Sequence, residues 1–209
     1  MTSVQPQKRH KSISGSGRRV SSGIDLPRSW RISAIMACWF LCNASPKGLS
    51  GKTEGAEYPL KLAFLYNFAK FVEWPSGSFR SPDGTLAICI VGHNPFSLDI
   101  ENQLRSRPAG DHSVEFVVLK TTDALNACHI VFIPVTEKDQ ATRIVRSLTG
   151  ASVLTVGESE GFAVRGGIIN FTVEEGNIRF EINRRAADRA GLKISSRLLN
   201  LAKIVTERN

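Results

Sequence analysis

LAICIV, residues 86–91, is an apolar run of strand length that Gly92 ends. A strand with one wet face alternates apolar and polar residues, whereas a run apolar at every position belongs to a strand covered on both faces, as in parallel sheets. Further strand candidates follow at 113–119 (SVEFVVL), 129–133 (HIVFI) and 152–156 (SVLTV). Between them lie a short helix at 95–104, a helical turn at 122–127, and an amphipathic helix at 137–148 built on Ala141, Ile144, Val145 and Leu148. Apolar runs alternating with helix-length polar segments mark βαβ units. The pattern then changes. Residues 168–173 and 177–182 flank Glu174-Glu175-Gly176 and predict an antiparallel hairpin, and residues 196–205 predict a closing helix with Ser195 as its N-cap. The expected fold class is α/β: a three-layer αβα sandwich whose sheet is mostly parallel and Rossmann- or flavodoxin-like, with the antiparallel C-terminal hairpin at its edge.

Upstream of the first strand lies EYPLKLAFLYNFAKFVEW, residues 57–74. Pro59 suits a first helical position and Trp74-Pro75 ends the run. Asn67, Lys70 and Glu73 form one narrow polar ribbon, while Leu60, Phe64, Leu65, Phe68, Phe71 and Val72 cover most of the remaining surface. A helix this apolar requires cover on more than one side. It packs between a sheet and other helices, or it meets a second subunit.

The 209 residues are 42% hydrophobic, ample for one buried core, and carry 27 basic against 19 acidic side chains. That excess resembles a nucleic-acid binder until it is placed along the chain. Residues 1–44 hold Lys8, Arg9, Lys11, Arg18, Arg19, Arg28 and Arg31 against Asp25 alone, so most of the charge precedes the domain. Arg28 and Arg31 stand before an apolar stretch at 32–42 that ends in small residues around Ala44, the layout of a secretory signal. Such a stretch is too short for a hydrocarbon layer that takes roughly 20 residues. The expected organisation is a basic extension with a signal peptide over 1–44, a linker over 45–56, one α/β domain over 57–205 and a tail over 206–209.

Cleavage after Ala44 removes Cys38 and Cys42 and leaves Cys89 and Cys128. Two cysteines in an exported chain favour one disulfide, the alternative being two buried thiols. If the strands bearing them are neighbours, as in the 2-1-3 order of flavodoxin-like sheets, the pair lies within bonding reach.

Signals for catalysis are few. Gly157-Glu158-Ser159-Glu160-Gly161 matches G-x-S-x-G after a strand, but no histidine follows it, and the two glutamates oppose ionisation of Ser159. There is no Cys-x-x-Cys, G-x-G-x-x-G, Walker loop or H-E-x-x-H, so neither a cofactor nor a metal is expected. His93 and Asn94 sit after the first strand, where open α/β sheets bind ligands, although a solvated loop histidine is the commoner outcome. Arg184, Ile194, Arg197, Leu198 and Leu199 mix apolar and basic groups in a way that suits a partner-contacting ledge, though Leu198 and Leu199 equally suit a core.

Taken together, EYPLKLAFLYNFAKFVEWP, ICIVGHNPF, CHIVFIP, SVLTVGESEGFAVRGGIINFTVEEGNIRFEIN and AADRAGLKISSRLLNLAKIV resemble the YfiR family of periplasmic proteins, over about residues 57–205. The resemblance implies an exported, non-enzymatic, dimeric α/β sandwich that represses an inner-membrane diguanylate cyclase through the cyclase's periplasmic domain. Release of the repressor, by redox change or by capture on an outer-membrane lipoprotein, then raises cyclic di-GMP and promotes biofilm formation. It also implies a structural disulfide between the cysteines matching Cys89 and Cys128. Some relatives carry a second pair, for which the mature sequence has no cysteines. The alternative, from the residues alone, is a periplasmic small-molecule receptor at the His93-Asn94 loop.

Overall fold

The computed structural model describes residues 54–79, 84–120, 122 and 124–208. The predicted signal region at 1–44, and the linker as far as residue 53, lie outside the described residues.

Helix α1 (Glu54–Phe71) runs into the two-residue strand β1 (Val72–Glu73). Then come β2 (Leu86–Val91), α2 (Leu98–Arg105), β3 (Val114–Leu119), β4 (Ile130–Ile133), α3 (Lys138–Ser147) and β5 (Leu154–Gly157). The chain closes with β6 (Ile169–Glu174), β7 (Asn177–Asn183), α4 (Arg184–Arg189), β8 (Lys193–Ile194), α5 (Ser196–Leu199) and β9 (Lys203–Val205). Seven strands form one sheet in the order β3-β2-β4-β5-β6-β7-β9, and β1 pairs with β8 in a separate ribbon. From β3 to β6 all neighbours are parallel, which is the 2-1-3-4-5 order of flavodoxin-like folds.

The apolar runs behave as expected, with β2 buried at every position. Its side chains alternate between two cores. Leu86, Ile88 and Ile90 face the layer of α1, α2, α4 and α5, whereas Ala87, Cys89 and Val91 face α3. Each large apolar side chain fully buried here stabilises the fold by about 1.5–3 kcal/mol. On α1, Leu62, Leu65 and Phe68 are wholly buried and Asn67 and Lys70 are exposed, whereas Val72 and Glu73, read from the sequence as part of this helix, form β1. The cover that this helix requires comes from within the chain: sheet below, α2 and α5 alongside.

Three further expectations are corrected. Pro59 lies inside α1 rather than at its first position, because the helix already begins at Glu54. The Glu57–Lys61 ion pair, at i and i+4, bridges the turn that contains it. The predicted helix over 196–205 stops at Leu199. Residues 203–205 instead become β9, parallel to β7 through Glu181↔Lys203, Ile182↔Ile204 and Asn183↔Val205, with Lys203 Nζ 3.3 Å from Glu181. The open edge of β7 supplies backbone partners that outweigh the helix preference of Leu and Ala. The hairpin is therefore internal, and β9 is the edge. Its turn is as the sequence implied: Glu175 and Gly176 both have positive φ, at 51° and 76°, the geometry of a two-residue hairpin turn.

Candidate functional site

Helix α1 points its Lys61 side chain into the protein at the carboxyl end of β5, and only 5% of that side chain is exposed. Lys61 ion-pairs with both Glu57 and Glu158, and the Glu158 side chain is 3% exposed. Glu158 Oε1 also accepts from the Val135 N–H at 2.7 Å and from the Tyr58 hydroxyl at 3.3 Å. This carboxylate thus ties α1 to the loop after β4 and to the end of β5. Burial pushes the Lys61 ammonium pKa down, but hydrogen bonds to Glu158 and Glu57 outweigh it and leave the value raised. Burial, then the neighbouring Glu158 charge, raises the Tyr58 phenol. The raised value keeps the Lys61 ammonium charged where it is held between the two glutamate side chains.

A cavity of about 580 Å³ opens beside this cluster, at the carboxyl ends of β4 and β5. Phe171 and Val164 help to line it, as do the polar side chains of Asn170, Thr172 and Glu181. None of these residues, and neither Lys61 nor Tyr58, was singled out from the sequence. One signal was present: on a helical wheel Lys61 stands opposite Lys70, off the polar ribbon and in the middle of an apolar face.

The first glycine of the G-x-S-x-G segment, and Gly167 beyond the segment, are explained by packing. A Cβ on Gly157 would lie 2.6 Å from the ring of Phe162, and one on Gly167 would lie 2.1 Å from it. Both glycines thus make room for one aromatic ring, which is 1% exposed. The Ser159 hydroxyl accepts from Arg165 Nη2 at 3.2 Å, and Glu158 is committed to Lys61.

His93 is exposed. Asn94 spends both side-chain groups locally: its oxygen accepts from Phe96 N at 3.0 Å and its nitrogen donates to Glu101 at 2.7 Å. In the C-terminal ledge, Arg184 and Arg197 are exposed and Ile194 and Leu199 half-buried. Leu198 is 4% exposed and belongs to the core. Arg184, Ile194 and Leu199 share a cleft of about 130 Å³, while Arg197 lies outside it.

The amino end of the sheet is closed differently. Cys89 in β2 and Cys128 before β4 form a disulfide, with Cα atoms 5.9 Å apart, as neighbouring parallel strands allow. Beside it, His129 Nδ1 accepts the Ala87 N–H at 3.1 Å and Nε2 faces the Ser78 carbonyl at 3.1 Å, which assigns the proton to Nε2. Phe79 is stacked between His112, at 3.9 Å, and His129, at 4.3 Å. Burial holds the His129 pKa below the ordinary value, the hydrogen bond to Ser78 offsetting only part of the effect. Among the described residues no group of three or more His, Cys, Asp or Glu is placed to hold a metal, and no helix is long and apolar enough to cross a membrane.

Strand order, disulfide and charged carboxyl end together define a disulfide-bonded, flavodoxin-like α/β domain. Two solved structures show a weak likeness to the chain. The ABC domain from Streptococcus pneumonia in complex with L-Trp is 11% identical with a TM-score of 0.40, covering 57% of this chain and 55% of its own. A conserved domain protein from Vibrio cholerae is 12% identical with a TM-score of 0.45, covering 72% and 60%. The chain therefore spans less than two thirds of the length of either. The sequence places it more narrowly: the chain belongs to the YfiR/HmsC-like family, whose model matches residues 58–203. That family is regulatory, non-catalytic and periplasmic, and it acts with a membrane diguanylate cyclase.

Proposed function

We propose that this protein is exported and holds a membrane diguanylate cyclase inactive by binding the cyclase's periplasmic domain, lowering cyclic di-GMP and biofilm formation. The family match over residues 58–203 carries the reading. The Cys89–Cys128 bond supports it, since such bonds persist in oxidising compartments. We assign the contact to the ledge of α4, β8 and α5, where Ile194 and Leu199 offer apolar surface and Arg184 and Arg197 a charged rim. Leu198 supports the ledge from inside. A homodimer, and an outer-membrane lipoprotein that captures the repressor, complete the scheme.

Deletion of the gene is expected to raise cyclic di-GMP severalfold. Complementation with the wild-type gene restores the low level; complementation with an Arg184→Glu, Arg197→Glu variant leaves it high, although these surface changes alter stability by less than about 1 kcal/mol. Unchanged cyclic di-GMP after deletion removes the repressor reading. Full complementation by the double variant removes the ledge as the contact.

A further inference from the structure

The seven-stranded sheet ends in two edges of different build. At one, β9 is three residues long and carries the exposed Lys203. A short, charged strand offers another chain little to pair with. At the other, β3 is six residues long and apolar at every position except Glu115. Among the described residues it has a neighbouring strand on one side only, β2. The Leu86 N–H donates to the Ser113 carbonyl at 2.8 Å and the Gly92 N–H to the Leu119 carbonyl at 2.9 Å. Alternate residues from 113 to 119 therefore turn their backbone groups toward β2, and Val114, Phe116 and Val118 turn theirs outward. Val118 is also 44% exposed. An edge this long and apolar is a template for a further strand unless a side chain covers it.

Arg105, in the last turn of α2, covers it. Its Nη2 donates to the Phe116 carbonyl at 2.8 Å, in the middle of the outward-facing row. The guanidinium carbon lies 5.7 Å from the centre of the Phe116 ring. One helical turn back, Glu101 stands 3.6 Å from the same guanidinium, and its side chain is only 3% exposed. Glu101 in turn accepts from Asn94 Nδ2 at 2.7 Å. A buried carboxylate, an aromatic face and an edge carbonyl thus converge on one arginine and fix it across the open side of β3.

We propose that Arg105 is an edge guard: it holds β3 shut against a second copy of this chain, whose own β3 would otherwise add antiparallel across a two-fold axis and extend the sheet. With Phe116 facing its counterpart, Val114 faces Val118 and Glu115 faces Val117. No like charges meet, so nothing else within β3 opposes the pairing. The Phe116 carbonyl has to release Arg105 before it accepts from the copy. This edge is separate from the ledge, and the proposal does not depend on the repressor reading.

The test is light scattering on size-exclusion fractions of the purified protein over a concentration series. Arg105→Ala is expected to give a species of about twice the wild-type mass, its share rising with concentration. Arg107→Ala, which removes an exposed neighbouring arginine, is expected to keep the wild-type mass. Because Arg105→Ala also strips Glu101 of its cation, a second substitution separates edge pairing from loss of fold. The Val118 N–H faces outward and takes no part in the ladder with β2, so Val118→Pro removes only a donor that the copy needs. Val118→Lys places a charge on the same edge. Either one, added to Arg105→Ala, is expected to restore the wild-type mass. The proposal is overturned if Arg105→Ala keeps the wild-type mass at every concentration, if Arg107→Ala associates equally, or if both double variants associate as the single one does.

Discussion

The two ends of the parallel sheet are closed by opposite means. At the amino end a covalent bond, a stacked aromatic and a neutral histidine hold β2 to β4. At the carboxyl end a buried lysine between two glutamates holds α1 to β5, next to a cavity of about 580 Å³. The first closure contains no ion pair; the second is built on one. The amino end therefore serves as a fixed clamp, while the carboxyl end depends on the pairing of charges.

Reducing the disulfide, or replacing Cys89 and Cys128 by Ala, is expected to cost about 4 kcal/mol for a loop of this length, read as a lowered urea midpoint. If the loss is below about 1 kcal/mol, the amino end is no clamp. Glu158→Gln strands Lys61 with the half-exposed Glu57 alone and is expected to cost about 3 kcal/mol, whereas Lys61→Met combined with Glu158→Leu recovers most of it. Equal losses in the single and double variants would show that volume, not charge, closes that end.

His129 gives the smallest effect and a pH signature. Because its folded pKa lies below the ordinary value of 6.5, the unfolded chain takes up the proton first. Its contribution is full above that pH and is lost as the pH falls below it, since the imidazolium no longer accepts the Ala87 N–H. His129→Phe should cost about 1–2 kcal/mol at neutral pH and flatten the acid side of the stability profile. Denaturation at a series of pH values compares the two slopes, and an unchanged acid slope in the variant assigns the effect to other groups.

Periodicity revealed most of the scaffold. The apolar runs at 86–91 and 129–133 exposed the parallel sheet, because burial on both faces leaves no polar positions. Export and possible strand adjacency favoured a Cys89–Cys128 bond over two buried thiols, and the structure has it. The 203–205 segment was misread because Leu198, Leu199, Leu201 and Ala202 have a helix's composition, and the free edge of β7 that recruits Lys203–Val205 is a tertiary fact. The charged end was hidden for a similar reason. Glu158 is nearly 100 residues from Lys61, and only their meeting shows that a lysine on an apolar helix face is an anchor. In the ledge, Arg184 and Ile194 were legible as surface, while Leu198 took the core role that its apolarity equally allowed.

One consequence of topology concerns the order in which the molecule can be finished. β8 pairs with β1 at the end of the first helix, and β9 lies parallel to β7. β1 emerges from synthesis far ahead of β8, whereas β7 precedes β9 only by the segment from α4 to α5. A polypeptide delivered amino end first must keep Val72–Glu73 unpaired until β8 arrives and the outer edge of Glu181–Asn183 unpaired until β9 arrives, so a product truncated before them retains a naked strand edge open to aggregation.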